Sequence, residues 1–177
     1  MEFASIEGIQ SRPVPQFPGI MLNAAKAAFI GRYTSMSVAA RDARNRPVVG
    51  RALGCSVSAD HRRLTVFLSA SRAGPVLECL EENGAIALAV TRPTTNETLQ
   101  LKGTVVDILP PTADDAAEIA AYRESFVAEL AALGYGGEFS RGVVAGGEDS
   151  VAVVFELVAV FDQTPGPKAG TRMEGRA

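Results

Sequence analysis

Thr34-Ser-Met-Ser-Val-Ala-Ala-Arg41, the turn Asp42-Ala-Arg-Asn-Arg-Pro47, Val48-Val-Gly-Arg-Ala-Leu-Gly-Cys-Ser-Val-Ser58 and Leu64-Thr-Val-Phe-Leu-Ser69 decide the fold class. Each apolar segment is of strand length, carries β-branched residues, and is separated from the next by a short polar turn. That is the signature of an antiparallel meander. The reading gives a first strand at 34–41, a second at 48–58 ending in the turn Ser58-Ala-Asp-His61, and a third at 64–69. Downstream the period changes. Ser71-Arg72-Ala73-Gly74-Pro75 reads as a loop, and Pro75 fits the first turn of a short helix running to about Glu82. Its apolar stripe is Val76, Leu77 and Leu80, and Asn83-Gly84 stops it because both residues tolerate left-handed backbone angles.

Two further strands follow at Ala85–Thr91 and Leu99–Leu109. In the second, Leu99, Leu101 and Val105 take one face and Gln100, Lys102 and Thr104 the other. Pro110-Pro111 closes that strand. Thr112-Ala-Asp-Asp115 then reads as an N-cap with an acidic first turn. Ile119, Tyr122, Phe126, Leu130 and Leu133 recur every three or four residues and give an amphipathic helix ended by Gly134, Gly136 and Gly137. Tyr122 and Phe126 are read as core or dimer contacts. Val151–Phe161 is the last strand. The expected fold is therefore mainly β with helices: a six-stranded antiparallel split β-barrel, with a short helix after strand 3 and a longer amphipathic helix after strand 5. Closure would remove the exposed strand edges. A five-stranded nucleic-acid barrel is the nearest competitor.

The whole chain of 177 residues, 47% apolar, is long enough to bury one core and reads as a single domain. Within it, residues 1–17, with prolines at 13 and 15, are expected as an irregular arm, 19–30 as a short apolar helix, and 162–177 as a flexible or extended tail. The longest apolar runs, such as Ile86–Val90 and Val151–Phe155, are too short to cross a bilayer. Met1-Glu-Phe-Ala-Ser-Ile-Glu7 lacks the basic start and apolar stretch of a secretory signal, so a cytoplasmic location is expected.

Cys55 and Cys79 have no metal spacing and read as reduced, buried thiols. The single histidine, His61, lies between Asp60 and Arg62 in a turn, so neither a structural zinc site nor a Ser-His-acid or Cys-His nucleophile is expected. The net charge of −3 argues against general nucleic-acid binding. Its distribution is uneven, however: residues 31–75 hold eight arginines against two aspartates. Three readings stand for that basic half: a solvated surface, an RNA patch or a phosphate pocket. Arginines scattered over several strands without interleaved aromatics favour a compact anion site.

Arg51 stands in an otherwise uncharged stretch. One reading turns it to solvent or pairs it with Asp107 or Glu97; the other makes it an anion ligand, because a guanidinium offers several donors in a geometry suited to phosphate. Ser71 and Arg72 precede a helix whose first-turn N–H groups are free, so this loop either accepts a phosphate or simply orders the turn. Thr98, Gln100 and Lys102 line either a groove or the wet side of a sheet.

Three landmarks resemble the pyridoxamine 5'-phosphate oxidase family of FMN-binding split barrels: Arg46-Pro-Val-Val-Gly-Arg51, Leu68-Ser-Ala-Ser-Arg72 leading into the short helix, and Arg92-Pro-Thr-Thr-Asn-Glu-Thr-Leu-Gln-Leu-Lys-Gly103. The resemblance covers residues 34–109 well and the last strand more loosely. It implies a homodimer with FMN in grooves at the subunit interface. Arg51, Ser71 and Arg72 would then hold the FMN phosphate, and Thr98 or Gln100 would approach the flavin. Ala73 stands where the family has a lysine. The chain has no tryptophan and ends its last strand in Phe161-Asp-Gln-Thr-Pro-Gly-Pro, without the family's substrate arginine. The resemblance therefore implies an FMN-dependent oxidoreductase acting on a small molecule other than pyridoxamine phosphate. The alternative is a non-catalytic dimeric protein binding flavin, haem or another anionic cofactor. Nucleic acid and membrane are not expected partners.

Overall fold

The computed structural model describes residues 20–173. The expected N-terminal arm, the first residue of the expected helix at 19–30 and the last four residues of the expected tail lie outside that range. Among the described residues, eight strands form one antiparallel sheet: β1 (Ser35–Arg41), β2 (Pro47–Arg51), β3 (Gly54–Val57), β4 (Arg63–Ser69), β5 (Ala85–Thr91), β6 (Thr98–Leu109), β7 (Ser150–Asp162) and β8 (Thr171–Met173). The hydrogen-bonded order is β2-β1-β5-β6-β7-β4-β3, with β8 added to β7. Four helices accompany it: α1 (Ala24–Phe29), α2 (Gly74–Asn83), α3 (Ala113–Ala132) and α4 (Gly137–Val143).

The expected six strands are therefore eight, and the ladder is a curled sheet left open between β2 and β3 rather than a closed cylinder. One correction lies in the stretch 48–58, which is two strands and not one. At the joint, the Ala52 N–H donates to Met36 O on β1 at 3.2 Å, and the next N–H, that of Leu53, donates to Phe67 O on β4 at 2.8 Å. Consecutive residues thus bond to strands at opposite ends of the ladder, which brings the two edges of the curled sheet together. Gly54 begins β3 at φ +143°, where a Cβ would stand 3.2 Å from Tyr122 Cβ. The positive φ and the close ring both call for glycine.

The remaining corrections are at shorter elements. The helix expected at 19–30 is only the six-residue α1, begun by Asn23, whose side chain accepts from the Lys26 N–H. The glycine-rich loop after α3 contains α4. The tail expected to be loose returns as β8, because the Asp162 side chain accepts from the Thr164 N–H and its carbonyl from the Gly170 N–H, closing a turn back onto β7.

Alternation explains the core. Met36, Val38, Leu64, Val66, Leu68, Leu88, Val90, Leu101, Val153 and Phe155 all point inward and are fully buried. α2 meets this interior from β2: a Cβ on Gly50 would touch Val76 and Ala73. α3 lies outside the curl, begun by a capping box in which Thr112 and Asp115 exchange hydrogen bonds. Its Ile119 packs with Leu53, Phe67 and Ala152 in a second, smaller core, while Tyr122 and Phe126 join the main one.

Candidate functional site

The outward face of β1, β5 and β6 is built from the residues that alternate with the core. Cross-strand register sets them in rows. One row runs Arg51, Ser37, Ala89, Gln100, Phe161 across β2, β1, β5, β6 and β7; the next joins Ser35, Thr91 and Thr98. Ser35, Ser37, Ala39, Ala87 and Ala89 are all small and half-buried, so the centre of this face is a low shelf with larger side chains at its margins. Gln100 receives one long contact, from Gln163 Nε2 at 3.4 Å. The Thr98 hydroxyl meets Thr91 Oγ1 and Asn96 O, both at 3.0 Å. Lys102, exposed, lies over the Phe161 ring at 4.9 Å.

Arg51 forms the β2 margin. Its guanidinium lies 4.7 Å above the Phe126 ring, a cation–π contact between the end of β2 and α3. Nη1 reaches Ser35 Oγ at 3.3 Å. Nε and Nη2 are buried and have no hydrogen-bond partner. Neither Asp107 nor Glu97 pairs with it; the Asp107 carboxylate instead accepts from the Ile108 N–H. The Tyr122 hydroxyl beside it is buried and pushed up to about 12, mainly by desolvation, with the Arg51 charge pulling the other way. Arg51 is thus a half-buried cation resting on the Phe126 ring and facing the Tyr122 hydroxyl, with Nε and Nη2 left without a hydrogen bond, and an anion is the complement that would complete it.

No protein-family profile matches this chain, and no curated protein matches it. Solved structures do. An F420 reductase superposes with a TM-score of 0.51 at 17% identity, covering 75% of this chain and 93% of that one. HupZ of Group A Streptococcus superposes with a TM-score of 0.51 at 18% identity, covering 85% and 100%. A provisionally assigned pyridoxamine 5'-phosphate oxidase of Lactobacillus delbrueckii gives 0.50 at 12% identity, covering 80% and 93%. The chain shares the split-barrel fold of these proteins.

In this split barrel, Arg51, Thr98 and Gln100 share one sheet face, whereas Ser71 and Arg72 make their bonds elsewhere. The Ser71 N–H donates to Asp149 Oδ2 at 2.7 Å and Ser69 Oγ to the same oxygen at 3.2 Å. Those bonds from Ser71 and Ser69 hold the Asp149 carboxyl down to about 2. A carboxylate of the protein itself therefore occupies one of the loop donors, the Ser71 N–H, that the sequence offers to a phosphate. Arg72 Nη1 donates to Ala145 O at 2.6 Å and lies against Gly146. Of the other arginines in the basic half, Arg32 pairs with Glu118, Arg46 with Asp42 and Arg63 with Glu156, so the charge is dispersed around the fold.

Sequence reading missed Asp149, whose partners are 78 and 80 residues away, and it missed Arg123 on α3, whose Nε and Nη2 are also buried without a partner. Nothing in the helical pattern distinguishes Arg123 from a solvated arginine. Both cysteines are free and buried, and burial raises each thiol above its ordinary value, which disfavours a reactive thiolate. His61 sits in its turn at φ +58°, with Nδ1 3.0 Å from Leu22 O.

Proposed function

We propose that the protein is an FMN-dependent oxidoreductase acting on a small molecule other than pyridoxamine phosphate, and that it works as a cytoplasmic homodimer with the cofactor on the outer shelf. The observation that carries this reading is Arg51, whose buried Nε and Nη2 lack partners at the edge of a shelf of serine and alanine. A flavin phosphate is the kind of oxyanion that a guanidinium fork accepts, so Arg51 would hold that end. Ser37 and Ala89 leave room above the sheet for a flat ring, and Gln100 and Thr98 stand at its far side to hydrogen-bond ring heteroatoms. A bound flavin supplies hydride and single-electron transfer. The protein's share is to bind, orient and shield it, and a second copy laid on the shelf would exclude water from the ring. Ser71 and Arg72 enter only indirectly, because Asp149 takes the Ser71 N–H and Ala145 O takes Arg72 Nη1.

A second reading, non-catalytic binding of a flavin, haem or another anionic cofactor, draws on a separate observation. Ser37, Ala89, Gln100 and Thr98 include no group that titrates near neutrality to move a proton for a substrate. One experiment separates the two. Purified protein loaded with FMN is reduced anaerobically and mixed with candidate acceptors, and flavin reoxidation is followed by absorbance. Reoxidation faster than that of free FMN supports the oxidoreductase. Retained flavin reoxidised no faster than free FMN supports the binding protein, and no retained flavin sinks the cofactor reading.

A further inference from the structure

We propose that Phe126 is a positioning residue which, through Arg51, makes the shelf prefer a flavin that carries a phosphate over one that does not; the inference rests on the flavin reading above. Phe126 lies on α3 and belongs to none of the shelf rows. It follows Tyr122 by about one helical turn, and the two rings stack with centroids 6.0 Å apart and planes 12° from parallel. Both side chains are buried. α3 can seat them against the sheet because Gly54 has no side chain: a Cβ there would stand 3.2 Å from Tyr122 Cβ. Between them, Ser125 Oγ accepts from the Tyr33 N–H at 3.1 Å and donates to Tyr122 O at 2.8 Å. The helix is thereby fastened to the chain that enters β1, just before Ser35.

Arg51 meets this aromatic pair from the end of β2. Its Cζ lies 4.7 Å from the Phe126 centroid, while Nη1 reaches Ser35 Oγ at 3.3 Å. Ser35 opens the row that continues through Thr91 and Thr98. The guanidinium is therefore held between the ring and the margin of the shelf. A free arginine side chain moves among many rotamers, and a ligand that must order them binds more weakly. The ring orders the side chain beforehand and brings no negative charge. Among the described residues no carboxylate pairs with Arg51, and three carboxylates of α3 are engaged elsewhere: Asp115 with Thr112, Glu118 with Arg32 and Glu129 with Thr94. The Tyr122 hydroxyl, pushed up to about 12 mainly by desolvation, stays neutral. The positive charge is thus oriented without being neutralised. Riboflavin has a hydroxyl where FMN has a phosphate, so what Phe126 contributes through Arg51 reaches FMN alone.

The test is fluorescence titration of FMN and, separately, of riboflavin with the full chain. Wild type, Phe126→Leu, Phe126→Met, Arg51→Gln, the double variant Arg51→Gln with Phe126→Leu, and Leu130→Ala are compared, each after its far-UV spectrum shows a folded protein. Leu130 is a core residue of the same helix, so Leu130→Ala loosens α3 without removing the ring. The expected result is a wild type that binds FMN more tightly than riboflavin. Phe126→Leu and Phe126→Met should each weaken FMN about three- to tenfold and leave riboflavin within about twofold. Leu130→Ala should leave the ratio of the two affinities where it was. In the Arg51→Gln background, Phe126→Leu should change that ratio no further, because the ring acts through the guanidinium. Equal losses of both flavins in Phe126→Leu and Phe126→Met, a ratio that shifts as much in Leu130→Ala, or a selective loss that persists without Arg51 would overturn the positioning role. FMN binding that falls in Arg51→Gln but is untouched by both Phe126 variants would overturn it while leaving the flavin reading intact. No FMN binding in wild type would overturn the flavin reading itself, and this inference with it.

Discussion

At the scale of single residues, Gly103 and Asp149 make the physical account most exposed to test. Gly103 sits at a register shift between β6 and β7, and a Cβ there would collide with Glu156 O and with the Phe155 ring. Backbone and a fully buried ring cannot both give way, so Gly103→Ala is expected to destabilise by about 1–3 kcal/mol, measured as a lowered denaturant midpoint at unchanged m-value. Asp149 tests the electrostatics. Its folded value of about 2 lies below the 3.8 of the free carboxyl. The stabilisation it provides is therefore complete above pH 4 and is lost as pH falls from about 4 through 2. Asp149→Asn should flatten that acid limb by on the order of 1 kcal/mol after solvent screening, read from urea melts at pH 5 and pH 2.5. Arg51 was legible as an anomaly because a lone charge in an apolar strand asks for a partner. The destination of Ser71 was not, because the carboxylate that binds its N–H lies 78 residues further along the chain.

Among the elements, those punctuated by local chemistry could be read from sequence and those created by tertiary contacts could not. β5 is found at its expected bounds, Ala85–Thr91, because strict alternation between Asn83-Gly84 and Arg92-Pro93 leaves little choice. α2 is delimited by Pro75 near its start and Gly84, at φ +70°, at its end. The break between β2 and β3 has no comparable local mark. Val48 to Ser58 is apolar throughout, and the turn exists because Ala52 and Leu53 bond to different strands. α4 was hidden by the glycines around it, and β8, three residues long, by the prolines and glycines of its turn. α3 is the element whose local signal and tertiary role agree. Thr112 accepts from Asp115 N at 3.2 Å while the Asp115 carboxylate accepts from Thr112 N at 2.8 Å. Thr112→Ala should cost about 1 kcal/mol in a chemical melt, with the loss felt at Tyr122 and Phe126 because α3 carries them onto Gly54 and Arg51.

For the molecule as a whole, the curled sheet gives its two faces different tasks. The inner face holds an apolar core that alternation made readable from sequence. The outer face of β1, β5 and β6 is small, half-buried and bordered by the half-buried Arg51. The same register that buries Val38, Leu88 and Leu101 therefore places Arg51, Thr98 and Gln100 together. Among the described residues no helix is long and apolar enough to cross a membrane. The likeness to known structures at 12–18% identity establishes the fold, and the ligand must be settled by binding. The central claim is that the shelf at Arg51 holds an anionic flavin, and the most direct test is quenching of FMN fluorescence on titration with the protein, in wild type, Arg51→Gln, Gln100→Ala and the exposed control Arg44→Gln. Saturable quenching near one FMN per subunit in wild type and the Arg44→Gln control, weakened about tenfold or more in Arg51→Gln and less in Gln100→Ala, is the predicted result. Quenching that is absent in wild type, or equally strong in Arg51→Gln, would contradict it.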